Sequence, residues 1–402
     1  MSTSLKIERQ NGNVPKTLAG EDHITGILVY MAFADIPTSF TTEHVQVLST
    51  IEAAEAAGIS ETKTEPDGSK TAAPWVVRML HYHLSEIFRL NPAVSLYVGI
   101  FEKPQSDTMT FAEVKTMQNF AYGKIRQLGI WCGDRELSEG DLDVLQGVAY
   151  ELEVQGAELS LVYAPKVKKE VKDIQKNLAG GNKCRVSVVI GQAGSGTGAT
   201  LYKDSANAGK ASVSGLGVVL GLISRAKVHQ CIAWVKEFPT GISLPAFGDG
   251  TLLRDIDKGL VEALDSARYL FFVTQQGQSG SYMNDSHTMD SAISDFASIE
   301  SVRTLDKAAR GVRTYLIPEL GGNVYVDPET GKLASYTVSH LETVAGHALE
   351  DMEKAGELSG YKAEIDPDQD VAASSTVEVV LKNVAVPVMR HVKVKIGFAK
   401  TI

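Results

Sequence analysis

The chain has 402 residues, 44% hydrophobic and 22% charged, enough to bury a substantial core in two domains or in one elaborated domain. Its 39 basic against 49 acidic side chains leave a net charge of -10, which repels phosphate backbones and argues against nucleic acid as the main partner. Three cysteines, Cys132, Cys184 and Cys231, are odd in number, far apart and without CxxC spacing, so they point to neither a disulfide framework nor a zinc ribbon.

The polar opening, residues 1–10, lacks the apolar run of a signal peptide. Within it Leu5 and Ile7 alternate with Lys6 and Glu8, a short strand pattern. A β-prone run at 24–33 is followed by a helical pattern at 42–57 that stops at Gly58, and 61–72 reads as a polar surface loop. Residues 74–90 predict a helix with Val76, Met79, Leu80, Leu84, Ile87 and Phe88 on one stripe, closed by Asn91 and Pro92. Strands at 94–101, 129–132, 158–163 and 184–190 then alternate with helices at 111–127, 138–155 and 166–178. Ser138 and Asp141 open the second of these helices in capping-box spacing. Strands separated by helices imply crossovers and a mainly parallel sheet, an α/β body.

A Gly-rich loop at 191–209 leads to a small-residue helix at 213–224 and a strand at 230–235. Helices are expected at 252–267, 290–309 and 336–355, with strands at 268–274, 313–317 and 324–326. Residues 376–400 then carry two alternating patterns with no compact turn between them. Val377, Val379 and Leu381 share one face, and Val392, Val394, Ile396 and Phe398 share another in the opposite parity, so the register changes around Pro387. A free strand edge recruits other chains unless the core or a neighbour covers it. The divisions read from the sequence are an N-terminal arm at 1–20, a body at 21–235, a second α/β part at 236–375 and a C-terminal arm at 376–402.

No motif for catalysis stands out. Gly194, Gly196 and Ala199 fit GxGxxA on paper, but the residues that follow do not read as an apolar-faced helix and no ribose-binding acid stands about 20 positions on. The rival function this loop leaves open is an α/β nucleotide-binding enzyme using 191–209. His81 and His83 lie about 200° apart around a helix, which forbids a shared metal and suggests one core and one surface histidine. His287, between Asp285 and Asp290, reads as part of a turn, and His340 and His347 stand too far apart along a helix for a shared ligand. Trp75, Trp131 and Trp234 fall in apolar runs and read as core.

From Trp234 onward the chain resembles the contractile tail sheath proteins of myovirus-type phages and related contractile injection systems. The resemblance rests on an ordered set: Ser243 to Thr251 (SLPAFGDGT), Tyr282 to Thr288 (YMNDSHT), Arg303 to Arg310 (RTLDKAAR), Leu316-Ile317-Pro318, and the extended end near Ile396-Gly397-Phe398. The N-terminal run Ile24 to Val29 and the segment Ile51 to Gly58 (IEAAEAAG) belong to the same pattern, whereas 100–230 is similar only in being α/β.

The resemblance implies hexameric rings stacked helically around an inner tube, with baseplate and tail-terminator proteins as further partners, assembly in the cytoplasm of a bacterial host, and no catalysis, cofactor, metal or membrane insertion. Combined with the terminal patterns, it implies β-arms that complete sheets in neighbouring subunits, carried by Leu5, Ile7, Val377, Val379, Leu381, Val392, Val394, Ile396 and Phe398. Glu342, Glu350, Asp351 and Glu353 on the 336–355 helix form an acidic set that could face the tube or simply solvent.

Overall fold

A computed structural model describes residues 20–65, 67–104, 108–167 and 170–398. In chain order its elements are β1 (Thr25–Met31), β2 (Val45–Leu48), α1 (Ile51–Ala56), β3 (Thr62–Thr64), β4 (Lys70–Ala72), α2 (Trp75–Leu90), β5 (Leu96–Glu102), α3 (Glu113–Phe120), β6 (Gln127–Glu136), α4 (Glu139–Val154), β7 (Ser160–Lys166) and β8 (Val186–Val188). There follow β9 (Gly191–Ala193), α5 (Gly196–Lys203), α6 (Leu216–Arg225), β10 (Pro245–Phe247), α7 (Lys258–Ser266), β11 (Phe272–Val273), β12 (Tyr282–Met283), α8 (Ile299–Leu316), α9 (Ser335–Lys354), β13 (Leu358–Glu364), α10 (Val371–Ser374) and β14 (Val380–Ala385).

The central sheet has six strands in the order β2-β5-β1-β6-β7-β8, all parallel except β2, which runs antiparallel to β5. Every residue of β1 is buried, as expected of a parallel strand covered on both faces. Alternation along it feeds two cores. Ile27, Val29 and Met31 pack with Val77, Leu80 and Leu84 of α2 and Leu216 and Leu220 of α6. Leu28 and Tyr30 pack with Val114 of α3, Leu142 and Leu145 of α4 and Leu264 of α7. A third, smaller cluster joins Ala308 and Val312 of α8, Ala348, Leu349 and Met352 of α9, and Leu358 of β13, with Leu381 of β14 against it.

Several segments depart from the sequence reading for identifiable reasons. Residues 42–57 are not one helix: Val45–Leu48 pairs with β5 at the sheet edge, and Thr50 accepts a hydrogen bond from the Ala53 N–H to start the short α1. In 166–178, Val171, Ile174 and Leu178 are spaced like a helix stripe, yet only Val171–Asp173 is helical, a single 3-10 turn, and the three side chains are buried individually by a loop on the second core. The expected strand at 313–317 is the last part of α8: Val312 lies one helical turn beyond Ala308 in the third cluster, and this packing outweighs the β preference of Val312 and Thr314. Residues 230–235 form turns, and only the Val326–Leu333 bridge remains of the strand at 324–326. The polar loop at 61–72 closes as the exposed β3–β4 hairpin. Both His81 and His83 are buried, because α2 lies between α1 and α6, and Trp234 is 46% exposed.

Candidate assembly surfaces

The structure divides the expected C-terminal arm. Val380–Ala385 pairs antiparallel with Leu358–Glu364 of the same chain, Leu381 opposite Ala363, so this part completes a sheet within its own subunit. The hydrophobic α8–α9 surface beside it gives Leu381 an intramolecular place to bury, which is the physical reason the ladder closes here. Val377 and Val379 precede that strand, half-buried, and the Gln369 side chain brackets Glu378 between them, donating to its carbonyl at 2.9 Å and accepting from its N–H at 2.6 Å. Beyond Ala385 no described residue joins a ladder. Val392 and Val394 are exposed, and Ile396 and Phe398 are 96% and 111% exposed, alternating with His391, Lys393 and Lys395. Leu5 and Ile7 lie outside the described residues.

The acidic set on α9 does not form one face. At 100° per residue Asp351 points opposite Glu342. Glu342 accepts a hydrogen bond from the Ile365 N–H at 3.0 Å and Asp351 accepts one from the Tyr315 hydroxyl at 3.2 Å, so both serve contacts inside the subunit. Glu350 pairs with Lys354 at 2.6 Å on the surface, and Glu353 is exposed.

The most developed polar site lies on α8, on the stretch 303–310 that carried part of the resemblance. Asp306 receives both terminal nitrogens of Arg185 at 2.9 and 3.0 Å, and Arg185 also reaches Glu153 at 2.8 Å. These two carboxylates, together with the hydrogen bonds to them, outweigh burial and hold the Arg185 pKa above its usual value. Arg303, fully buried, donates to the carbonyls of Ala226 and Asp22, and desolvation draws its pKa down to about 10. Lys307 and Arg310 bind the Asp22 carboxylate at 2.7 and 3.2 Å. Burial pushes Asp22 up, but Lys307, Arg310 and Arg303 together outweigh it and leave the carboxyl below its ordinary range. Lys307 also pairs with Glu357 at 2.8 Å, and Arg313 with Glu158.

A charged helix face usually reads as solvated, yet this one is the seam between the central sheet and the α8–α9 unit. The signal in the sequence was the recurrence of Arg303, Asp306, Lys307 and Arg310 at helical spacing, which needs partners elsewhere in the chain to be interpreted. The same helix touches both ends of the described chain. Asp22 sits close to the first described residue, and Glu300, in the first turn of α8, binds Arg390 at 2.5 Å beyond the last strand.

The remaining candidates for chemistry resolve as packing. After β9 the Gly-rich segment does form a helix, α5, contrary to the sequence reading, but its glycines are filled by the protein itself. A Cβ at Gly194 would stand 2.6 Å from Leu252, and one at Gly198 would stand 2.9 Å from the Tyr82 hydroxyl. The adjoining cleft of about 390 Å³ is lined by Gln192, Tyr202, Lys203, Leu244 and Asp255 among others, with the acid and the base both present. His287 is buried in place of the expected exposed turn, its Nε2 3.1 Å from Asp265. Cys231 donates toward Asp285, and burial pushes its thiol up to about 12, the wrong direction for a nucleophile. Among the described residues no cluster of His, Cys, Asp or Glu could hold a metal ion, and no helix is long and apolar enough to cross a membrane.

Comparison with known proteins bears on the whole chain. Residues 79–287 match the DUF2586 N-terminal domain and residues 295–402 the DUF2586 C-terminal domain. No curated protein matches. A chain of the contracted helical sheath of the anti-feeding prophage (AFP) aligns with a TM-score of 0.64 at 14% identity, covering 99% of each chain. A chain of the six-fold symmetrised AFP baseplate aligns at 0.61 and 12% identity, covering 99% of this chain and 100% of that one. A chain of the contracted PVC sheath complex, from an extracellular contractile injection system, aligns at 0.60 and 11% identity, covering 100% of this chain and 98% of that one. The fold is that of contractile-injection-system sheath proteins, and these matches come from sheath and baseplate assemblies.

Proposed function

The chain belongs to the DUF2586 family, and from that membership and its sheath-type fold we propose that it is a structural subunit of a contractile tail sheath, stacked as hexameric rings around an inner tube. The observation that carries this reading is the strand pattern at 392–398: four alternate apolar side chains, exposed, with no ladder in their own chain. The two-stranded β13–β14 sheet offers open edges of the kind such a segment would extend in a neighbouring copy. A donated strand of this length forms about six backbone hydrogen bonds, each contributing about 0.5–1.5 kcal/mol net. One link is modest; repeated through a lattice, many such links hold together by multivalency. Heterologous contacts that do not close within one ring propagate as a helix.

In this reading the sheath assembles in a bacterial host cytoplasm, between a baseplate and a tail terminator, in an extended packing of higher free energy. Contraction relaxes it to a wider, shorter helix and drives the tube through a target envelope, while the arms keep subunits connected as the α/β bodies rotate. The free energy is stored at assembly, so no nucleotide or cofactor enters. Deleting residues 392–402, which leaves β14 intact, is expected to abolish polymers in negative-stain images; normal full-length sheaths from the truncated protein would remove the tether role.

On α9, Glu350 and Glu353 are the acids left for a tube contact, since Glu342 and Asp351 serve the subunit's own hydrogen bonds. Replacing both with lysine should reduce co-sedimentation with the tube protein; undiminished co-sedimentation would assign these acids to solvent.

A further inference from the structure

Between the end of β14 and Phe398, Arg390 makes the only side-chain hydrogen bonds among the described residues. Its Nε donates to both oxygens of Asp285 at 3.0 and 2.9 Å, and a terminal nitrogen reaches Glu300 at 2.5 Å and the Ser286 hydroxyl at 3.4 Å. The receiving site is built before the arginine arrives. Ser286 donates its hydroxyl to the second oxygen of Glu300 and its N–H to Asp285 at 2.8 Å, and Cys231 donates its thiol to Asp285. The Glu300 and Asp285 side chains are only 6% and 16% exposed, while Arg390 is a third exposed. His287 lies 3.9 Å from Asp285, so the only cation bound directly to Glu300 is Arg390. A buried carboxylate needs such a partner, and a pair of this geometry is an anchor rather than an incidental surface contact.

We infer that Arg390 is a pin that fixes where the C-terminal arm leaves its own subunit. The inference rests on the donated-arm reading for its role in the lattice, and deepens it by setting the length of the tether. The chain through residue 390 belongs to the parent subunit; residues 391–402, able to span ~40 Å fully extended, are what a neighbour can receive. Glu300 and the residues that hold Asp22, Arg303, Lys307 and Arg310, all lie on α8 within ~15 Å along its axis. One rigid helix therefore brackets the roots of both terminal segments, and a pull on one arm is passed to the other through α8 instead of through the flexible stretch at 386–389.

The test is R390Q, a change at a site outside every helix and strand, with E300Q as the matching change on the body. In the isolated subunit, tryptic cleavage after Lys393 should accelerate ~10-fold in either variant, because a pinned segment must detach before it enters a protease. An unchanged cleavage rate in R390Q overturns the pin. In polymers, R390Q should give sheaths of irregular length that fragment on shearing; sheaths as ordered and robust as wild type overturn its role in the lattice. A wild-type protein that forms no polymer at all would instead count against the sheath reading, and the proteolysis result would still decide the pin.

Discussion

Arg185 and Asp306 are separated by 121 residues of sequence and meet in a buried, two-bonded pair, while His83, two residues from the half-covered His81, is sealed with no access to water. Neither placement could be read locally, because a partner contributed by a distant element decides whether a charged or titratable side chain can be buried. His83 has a measurable consequence. Its pKa is drawn down to about 3 by desolvation, so between that value and the ordinary histidine range near 6.5 the unfolded chain binds a proton that the folded chain refuses. Stability therefore falls as pH drops below about 6.5, and this group alone should remove about 2 kcal/mol between pH 7 and pH 5. Urea titrations of wild type and His83→Asn across that range should differ in slope, the variant lacking this loss. Parallel slopes would mean His83 takes up its proton in the folded state. Trp234 is the opposite case, an apolar residue in an apolar run that the turns at 230–235 leave half outside.

At the scale of elements, legibility followed periodicity. β1, α2 and α4 stand within a residue or two of their expected places because each buries a regular stripe, and the Ser138 cap of α4 forms as read, accepting from the Asp141 N–H at 3.2 Å. Errors arose where spacing imitated a helix without one, as at Val171, Ile174 and Leu178, or where β-branched residues sat inside one, as at Val312 and Thr314. The contact between α2 and α6 depends on a position with no side chain. A Cβ at Gly217 would stand 2.5 Å from the His83 carbonyl oxygen and 2.7 Å from its Cα, backbone atoms that cannot step aside. Gly217→Ala should therefore cost about 1–3 kcal/mol, read as a lower urea midpoint with an unchanged slope. A midpoint within error of wild type would show that the two helices can separate freely.

For the whole molecule, the α/β class, the mainly parallel sheet and the sheath resemblance were accessible from the sequence, the last through an ordered set of short segments rather than any one motif. The candidate assembly surface was legible in part. The alternation at 392–398 marked the exposed strand, but the same alternation at 377–381 could not disclose that β14 pairs within its own chain, since period-two patterning specifies a face and leaves the partner open. The seam on α8 stayed hidden because its charges resemble a solvated face until Arg185, Asp22, Glu158 and Glu357 are brought to it. What emerges is a body whose two ends are fastened to one helix and whose last segment is left with unsatisfied edges.

The most direct measurement is a cryo-EM reconstruction of polymers grown from the purified full-length protein, with the backbone traced through residues 386–398. The account predicts a helical stack of rings in which 392–398 hydrogen-bonds to a β-sheet of an adjacent copy, while Arg390 stays on Asp285 and Glu300 of its own. A segment folded back along its parent subunit, with no ladder crossing between copies, would contradict it.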